Sequence, residues 1–462
     1  MTDFNRMNGR RFLAFATRLA IPIMVQNLIS TLVSSADTVM LSYVSQQAMN
    51  ASSLANNYTF VLFCLYFGLA EGTSVLCAQY WGKGDGDTVE RIMCMATRIA
   101  VAGSVLFFAV SLLFPRFIMI LFTNSEPTIA LGVRYLRVVS FSFLFMGVSQ
   151  VYISALRSVG MVGFPSVTYV VSLLVNVGLN ATFIFGLFGL PKLGVVGVAL
   201  GTVVARFVEM LMCIIYSMKN DRVCYRRKHL FQREGVLRKD FVKIGLPAVA
   251  NDIIWSLAAS VFASILGHIG DDMVAANAVA VMVVNVGAIA CRGFANATTI
   301  VISQVLGRND IEGAKIYGRR MLFLTIAVSV AGCGIILLLR PLMLLFYASK
   351  LTETALHYLS WLMIMTTWRM IGEGINTCLI CGCFRGGGDT RYGMILDTVY
   401  MWGVAVPAMA LAAFVFKLSP LLVYFVMSMD EFGKMPVVFV HYLRYKWMKN
   451  ITRNADELAV TT

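Results

Sequence analysis

The sequence has 462 residues, of which 58% are hydrophobic and 13% are charged, and its formal net charge is +14. Its apolar runs exceed the roughly 20 residues that cross the hydrocarbon core of a bilayer, so the composition excludes an ordinary soluble domain. The Lys and Arg residues lie between the apolar runs, where they set membrane orientation, and we therefore expect no nucleic-acid partner.

The first half of the chain contains six apolar runs separated by polar breaks. We predict membrane spans near residues 13–43, 51–81, 97–115, 138–157, 165–188 and 193–217. We read the first span as retained, because no small-residue cleavage site leads into a polar mature chain.

The first span carries one acidic residue, Asp37, between Arg18 and the outer loop. A carboxylate buried without a partner costs roughly a few kcal/mol, so this residue needs compensation. Gln26, Ser30 and Ser34 lie on the same helical face at steps of four, four and three residues. We expect this polar stripe to face a cavity.

The fifth span has a second polar stripe, in which every fourth residue is polar: Thr168, Ser172, Asn176 and Asn180. Oxygen ligands from two helices around one carboxylate suit a hard monovalent cation or a proton relay. Small polar residues at this spacing also serve to pack helices closely, and this alternative stays open for the Ser and Thr positions.

A basic segment follows the sixth span, with nine Lys and Arg residues between Lys219 and Lys243. The positive-inside rule places this segment and both termini in the cytoplasm. We predict an N-lobe at residues 1–218, a basic cytoplasmic linker at 219–243, a C-lobe at 244–443 and a cytoplasmic tail at 444–462. Membrane-lipid headgroups are the partner that such a basic segment would contact.

The second half repeats the first at an offset of 225 residues. Ile21-Pro22 returns as Leu246-Pro247, Gly68 returns as Gly293, and the Gln79–Asp85 segment returns as Gln304–Asp310. The predicted spans of this half lie near residues 244–268, 275–306, 321–340, 355–380, 391–415 and 418–443. We therefore predict twelve transmembrane helices in two pseudo-symmetric six-helix lobes, related as a parallel repeat.

Charged residues interrupt the later spans of the second half. In the twelfth span we expect Asp430 to pair with Lys434 on one helix face, since they are four residues apart. The other acids are candidates for a cavity in the C-lobe, with two amides as polar neighbours: Asp252, Glu373, Asp397, Asn251 and Asn376. Arg369 is placed one turn before Glu373, so a structural ion pair remains an alternative there.

Three motifs, in order on a twelve-span duplication, resemble those of the multidrug and toxic compound extrusion (MATE) family. They are Ser35–Met40 at the end of the first span, the paired breaks at Gln79–Asp85 and Gln304–Asp310, and Arg385–Arg391 after the tenth span. The resemblance covers nearly the whole chain. It implies a two-lobed, cation-coupled antiporter that exports amphipathic, often cationic, organic compounds.

The resemblance also implies a cation site in the N-lobe. Asp37, Asn176 and Thr202 match positions that form this site in prokaryotic members, whereas Asn180 stands where many members have Asp. A single carboxylate leaves sodium and a proton both open as the coupling ion. In the C-lobe, Trp255 stands where some members have Glu.

Other functions fit the sequence less well. It has no HExxH or GxSxG motif and no nucleotide-binding loop, so we expect neither an enzyme nor direct use of ATP. We expect no cofactor and no metal beyond a sodium ion at Asp37. The prediction is a monomeric, multi-pass plasma-membrane transporter for organic compounds, and the alternative is a flippase for a lipid-linked oligosaccharide.

Overall fold

The computed structural model describes residues 8–189, 191–230, 232, 234–349, 351–454 and 457, without the side chains of residues 34, 35, 38, 39, 42, 188, 227 and 286. These residues are nearly all helical, and no β-strand occurs among them. Ten described helices are long and apolar enough to cross a membrane. The expected all-α, multi-pass membrane architecture is therefore confirmed.

The first half consists of long helices joined by short turns. They are α1 (Gly9–Ser42), α2 (Gln46–Lys83), α3 (Gly86–Leu113), α4 (Pro115–Ile120), α5 (Glu126–Ser158), α6 (Gly163–Phe185), α7 (Val195–Lys219) and α8 (Arg227–Leu230). Helix α5 packs against α2, α3 and α7, and α6 packs against α7. This packing brings α6 and α7, which carry three predicted site residues, side by side.

The second half begins in the same way and then becomes irregular. Its helices are α9 (Gly235–Ile269), α10 (Asp271–Gly307), α11 (Ile311–Tyr347), α12 (Glu353–Asn376), α13 (Thr390–Tyr400), α14 (Val406–Ala410), α15 (Pro420–Ser428) and α16 (Asp430–Leu443). Three π-helical segments lie between them, at Thr377–Phe384, Met401–Ala405 and Leu411–Val415.

Three of the twelve predicted spans differ from single long α-helices. The predicted span at 391–415 is a continuous helical run of α13, α14 and two π-helical segments, and it counts as one of the ten apolar helices. The other two are less regular. The predicted span at 418–443 is divided into α15 and α16 at Met429, just before the charged residues at 430 and 431. The predicted span at 355–380 begins as α12, which carries Arg369 and Glu373, and continues as a π-helix. Neither is among the ten helices that satisfy length and apolarity together.

The repeated polar break has the same structure in both halves. Asp85 caps the N-terminus of α3 by accepting a hydrogen bond from the Thr88 N–H at 3.0 Å. Asp310 caps α11 by accepting from the Gly313 N–H at 2.8 Å. An Asp at this position satisfies N–H groups that have no partner within the helix. The duplication thus preserves a helix start.

Two compact units divide the described structure. The N-terminal unit contains Val25–Gly245 and Thr452–Thr462, and the C-terminal unit contains Met1–Met24 and Leu246–Ile451. Both main divisions fall within a few residues of the repeated prolines, Pro22 and Pro247. The lobe boundaries at 218, 243 and 443 concern membrane topology and stay a prediction.

The basic linker is bound to the start of α3 within the N-terminal unit. Glu234 accepts two hydrogen bonds from the Arg91 guanidinium, at 2.6 and 2.7 Å. Arg226 lies 2.9 Å from Glu90, which is almost fully buried. Ion pairs with α3 therefore fix the position of part of the basic linker.

Candidate functional site

The four predicted coupling residues meet in the N-terminal unit. Asn180 donates from Nδ2 to Asp37 Oδ1 at 2.5 Å and lies 3.2 Å from Asn176 Oδ1. Asn176 in turn donates from Nδ2 to Thr202 Oγ1 at 3.3 Å. Helices α1, α6 and α7 thus contribute to one continuous hydrogen-bonded cluster, which we call the Asp37 cluster (Asp37, Asn176, Asn180 and Thr202).

Helix geometry and one glycine explain this arrangement. Asn176 and Asn180 are one turn apart on α6, so their side chains share a face, and both are buried. Opposite them, α7 has Gly201, where a β-carbon would collide with the Asn180 side-chain oxygen, Oδ1. Asn180 Oδ1 has no hydrogen-bond partner within the described chain.

The polar stripe of α6 contributes to two groups of polar residues. Asn176 and Asn180 belong to the Asp37 cluster, whereas Ser172 contacts Glu209. Ser172, one turn before Asn176, lies 3.3 Å from Glu209, which also accepts a hydrogen bond from Ser149 at 2.7 Å. Arg206 pairs with Glu209, three residues later on the same helix, at 2.7 Å. This fully buried carboxylate is therefore compensated inside the N-terminal unit.

Gln26 lies away from the Asp37 cluster. It is fully buried and donates to Ser166 Oγ at 2.8 Å and to the Val162 carbonyl at 3.3 Å, near the start of α6. The Ser34 side chain lies outside the described part of the structure. The expected stripe on α1 thus includes one residue that connects helices rather than contacting Asp37.

A second polar cluster lies in the C-terminal unit and contains three predicted residues. Asp397 accepts hydrogen bonds from Asn251 at 3.2 Å and from Lys434 at 3.2 Å. Lys434 also lies 3.1 Å from Glu431, to which Asn376 donates at 2.8 Å. We call this set the Lys434 cluster (Asn251, Asn376, Asp397, Glu431 and Lys434).

The expected pair of Asp430 with Lys434 is wrong. Lys434 is turned toward Glu431, three residues earlier, and toward Asp397 on α13. Asp430 instead lies 3.8 Å from Arg369 Nε on α12. Local spacing on one helix did not predict these partners because each charge finds its counter-ion partly on another helix.

The two remaining predicted acids do not belong to the Lys434 cluster. Asp252 on α9 and Glu373 on α12 are both partly exposed, whereas Asp397 is buried. Among the described ion pairs, Arg369 is paired with Asp430 rather than with Glu373. Glu373 also attracts the Arg369 charge from one turn away, so the alternative of an Arg369–Glu373 structural pair stays open.

Sequence reasoning missed Glu431 and Lys434 as members of a polar site. The available signal was that three charges at positions 430, 431 and 434 interrupt an apolar run, while Arg369 and Asp397 interrupt two others. Intramembrane charges pair with one another, so isolated charges on different spans indicate a shared cluster.

Comparison with known proteins assigns the family. The MatE family model matches residues 22–182 and 247–411, one repeat in each half. The chain belongs to the MATE family. A relative named "Probable multidrug resistance protein NorM" from Thermotoga maritima is 25% identical over 438 residues, covering 94% of this chain and 92% of that protein. Multidrug resistance protein MdtK from Pectobacterium atrosepticum is 24% identical, covering 84% and 85%.

Solved structures share the fold of this MATE protein. A crystal structure of MATE in the straight conformation superposes with a TM-score of 0.86 at 19% identity, covering 96% of this chain and 98% of that one. A multidrug resistance MATE transporter in an outward-facing conformation gives 0.84 at 19% identity, with coverage of 97% and 98%. At this identity the likeness concerns the fold alone.

Proposed function

We propose that this MATE protein is an antiporter that exports amphipathic, cationic organic compounds by alternating access, driven by a sodium or proton gradient. Asp37 is the coupling carboxylate in this proposal, with Asn176, Asn180 and Thr202 as its polar neighbours. The protein acts as a monomer in the plasma membrane with both termini in the cytoplasm, and it uses no cofactor other than the coupling ion.

The hydrogen bond from Asn180 to Asp37 carries the proposal. It places the one acidic residue of α1 in a cluster of amide and hydroxyl groups from two further helices. Hard monovalent cations bind such oxygen groups, and a proton binds the carboxylate itself. An ion-binding carboxylate that is reached from alternate sides of the membrane couples the ion gradient to export.

The charges of the two units support a cationic cargo. Arg206 is paired with Glu209 and Arg369 lies beside Asp430, so neither guanidinium is available for a pyrophosphate group. Asp252 and Glu373 are both partly exposed carboxylates. The relatives named as multidrug resistance proteins agree with organic compounds as cargo, and the flippase alternative has no comparable support.

Transport into everted membrane vesicles tests the proposal. A fluorescent cationic dye should accumulate when a sodium or a proton gradient, each imposed alone, is directed outward from the vesicle lumen. The gradient that drives accumulation identifies the coupling ion. Absence of dye transport under both gradients, with the protein present in the vesicle membrane, would contradict the proposal.

A further inference from the structure

The buried charges around α16 contain an excess of carboxylates. Asp397, Asp430 and Glu431 lie near only two cationic side chains among the described residues, those of Arg369 and Lys434. Lys434 contacts Asp397 and Glu431 at 3.2 and 3.1 Å, so its charge is shared by these two groups. If all five groups are ionised, the set carries one net negative charge in a water-poor interior.

Asp430 is the least compensated of these carboxylates. Its side chain is 2% exposed, and neither oxygen has a hydrogen-bond partner among the described residues. The Arg369 Nε atom lies 3.8 Å from Oδ1, beyond hydrogen-bond distance, and also has no such partner in the described chain. The neighbouring Glu431 N–H offsets this only weakly. Attraction to the charges of Arg369 and Lys434 is therefore the main compensation for this carboxylate.

The surroundings of Asp430 contain both signs of charge. The titratable and charged groups that face it are Arg369 of α12, Tyr400 of α13, Tyr424 of α15, and Glu431 and Lys434 of α16. Glu373 and Asp397 lie beside Arg369 and Lys434, respectively. A buried ion pair needs close geometry and full hydrogen bonding to offset the loss of water. Protonation of Asp430 removes the net charge of these five buried groups, while Lys434 keeps its contacts with Asp397 and Glu431.

We propose that Asp430 binds and releases a proton during the transport cycle, as a second ion-exchanging carboxyl in the C-terminal unit. The proton comes from bulk water and returns to it. It binds at Oδ2, because Oδ1 faces the Arg369 guanidinium. This step rests on the proposed antiport function, and it adds a proton to whichever ion Asp37 carries.

Proton release on dye binding measures this step. Ethidium is added to purified protein in weakly buffered detergent solution, and released protons are counted with a pH indicator. Asp430→Asn should release about one proton fewer per bound dye than the wild type. Asp271→Asn, at an exposed acid, is the matched control and should release the wild-type number. An unchanged count in Asp430→Asn overturns the proposal.

Asp430→Asn leaves Arg369 without its nearest counter-ion and could therefore fold poorly. Infrared difference spectra of a double variant that also replaces Arg369 provide a second test. In an Asp37→Asn background, which removes any band from Asp37 itself, the protein should show a protonated-carboxyl band that changes on dye binding, and adding the double variant Arg369→Met with Asp430→Asn should abolish it. A band that persists in the double variant overturns the proposal. Asp37→Asn should retain the band, so a failure of the Asp37 mechanism is distinguishable from a failure at Asp430.

Discussion

Asn180 is the residue that connects Asp37 to the rest of its cluster. Its Nδ2 atom lies close to both Asp37 and Asn176, and its side-chain oxygen, Oδ1, faces Gly201. The geometry of the proposed ion site therefore depends on how closely α7 approaches α6 at this one position.

Gly201→Ala should disrupt the Asp37 cluster. The added methyl group overlaps the Asn180 oxygen, and relieving such overlap costs about 1–3 kcal/mol. We expect gradient-driven dye transport to fall roughly tenfold, which corresponds to about 1.4 kcal/mol. The measurement is initial transport rate at equal membrane abundance.

Gly178→Ala is the matched control for this variant. It adds the same methyl group to α6, but its β-carbon meets no atom within 4 Å. Transport by Gly178→Ala should equal that of the wild type. Equal activity of both variants would show that close packing at Gly201 is not required.

At the residue scale, the structure brings the four predicted coupling residues together, while their role in ion coupling stays a prediction. Asp37, Asn176, Asn180 and Thr202 were predicted from polar stripes and family resemblance. The partners of Lys434 were not predicted, because they lie partly on other helices. Spacing along a chain identifies a polar face but not the side chains opposite it.

At the scale of elements, the linker is held to α3 by a bidentate ion pair. The Glu234 and Arg91 side chains are 4% and 14% exposed. Glu234→Gln should destabilise the protein by about 1.5–3 kcal/mol, since hydrogen bonds to charged groups contribute this much. Faster proteolysis within residues 219–234 is the measurement.

The pair of Glu312 with Lys315 provides the control for Glu234→Gln. Its side chains are 76% and 33% exposed, and exposed pairs contribute about 0–1 kcal/mol. Glu312→Gln should leave the proteolysis rate of the linker unchanged. An equal effect of both variants would indicate a change in overall charge rather than loss of linker binding.

Element boundaries were predictable for the long, uninterrupted helices and less so near the C-terminus. Hydropathy predicted the ten long apolar helices, but it does not distinguish α-helix from the π-helix at Thr377–Phe384. The division of the last predicted span at Met429 also escaped it, since apolar composition continues up to that position.

At the scale of the molecule, the proposed export depends on the predicted membrane orientation. Single cysteines at Arg222 and Asp271, both exposed, should react with an impermeant maleimide from opposite sides of the membrane in a cysteine-free background. In intact cells only the cysteine at 271 should react. Labelling of both positions would contradict the predicted cytoplasmic linker.

The duplication was the most informative feature of the whole chain. An offset of 225 residues predicted two related halves, and both the paired family match and the matching Asp caps at 85 and 310 agree with it. The functional differences between halves were less predictable, because the Asp37 cluster and the Lys434 cluster occupy different positions of the repeat.

Dye transport by Asp37→Asn tests the central claim most directly. The amide keeps the shape of the side chain but cannot alternate between charged and neutral forms or offer a charge to sodium. Beside the exposed control Asp271→Asn, the variant should reach normal abundance in everted vesicles and lose gradient-driven transport, while the control retains it. Full sodium- or proton-driven transport by Asp37→Asn would contradict the account.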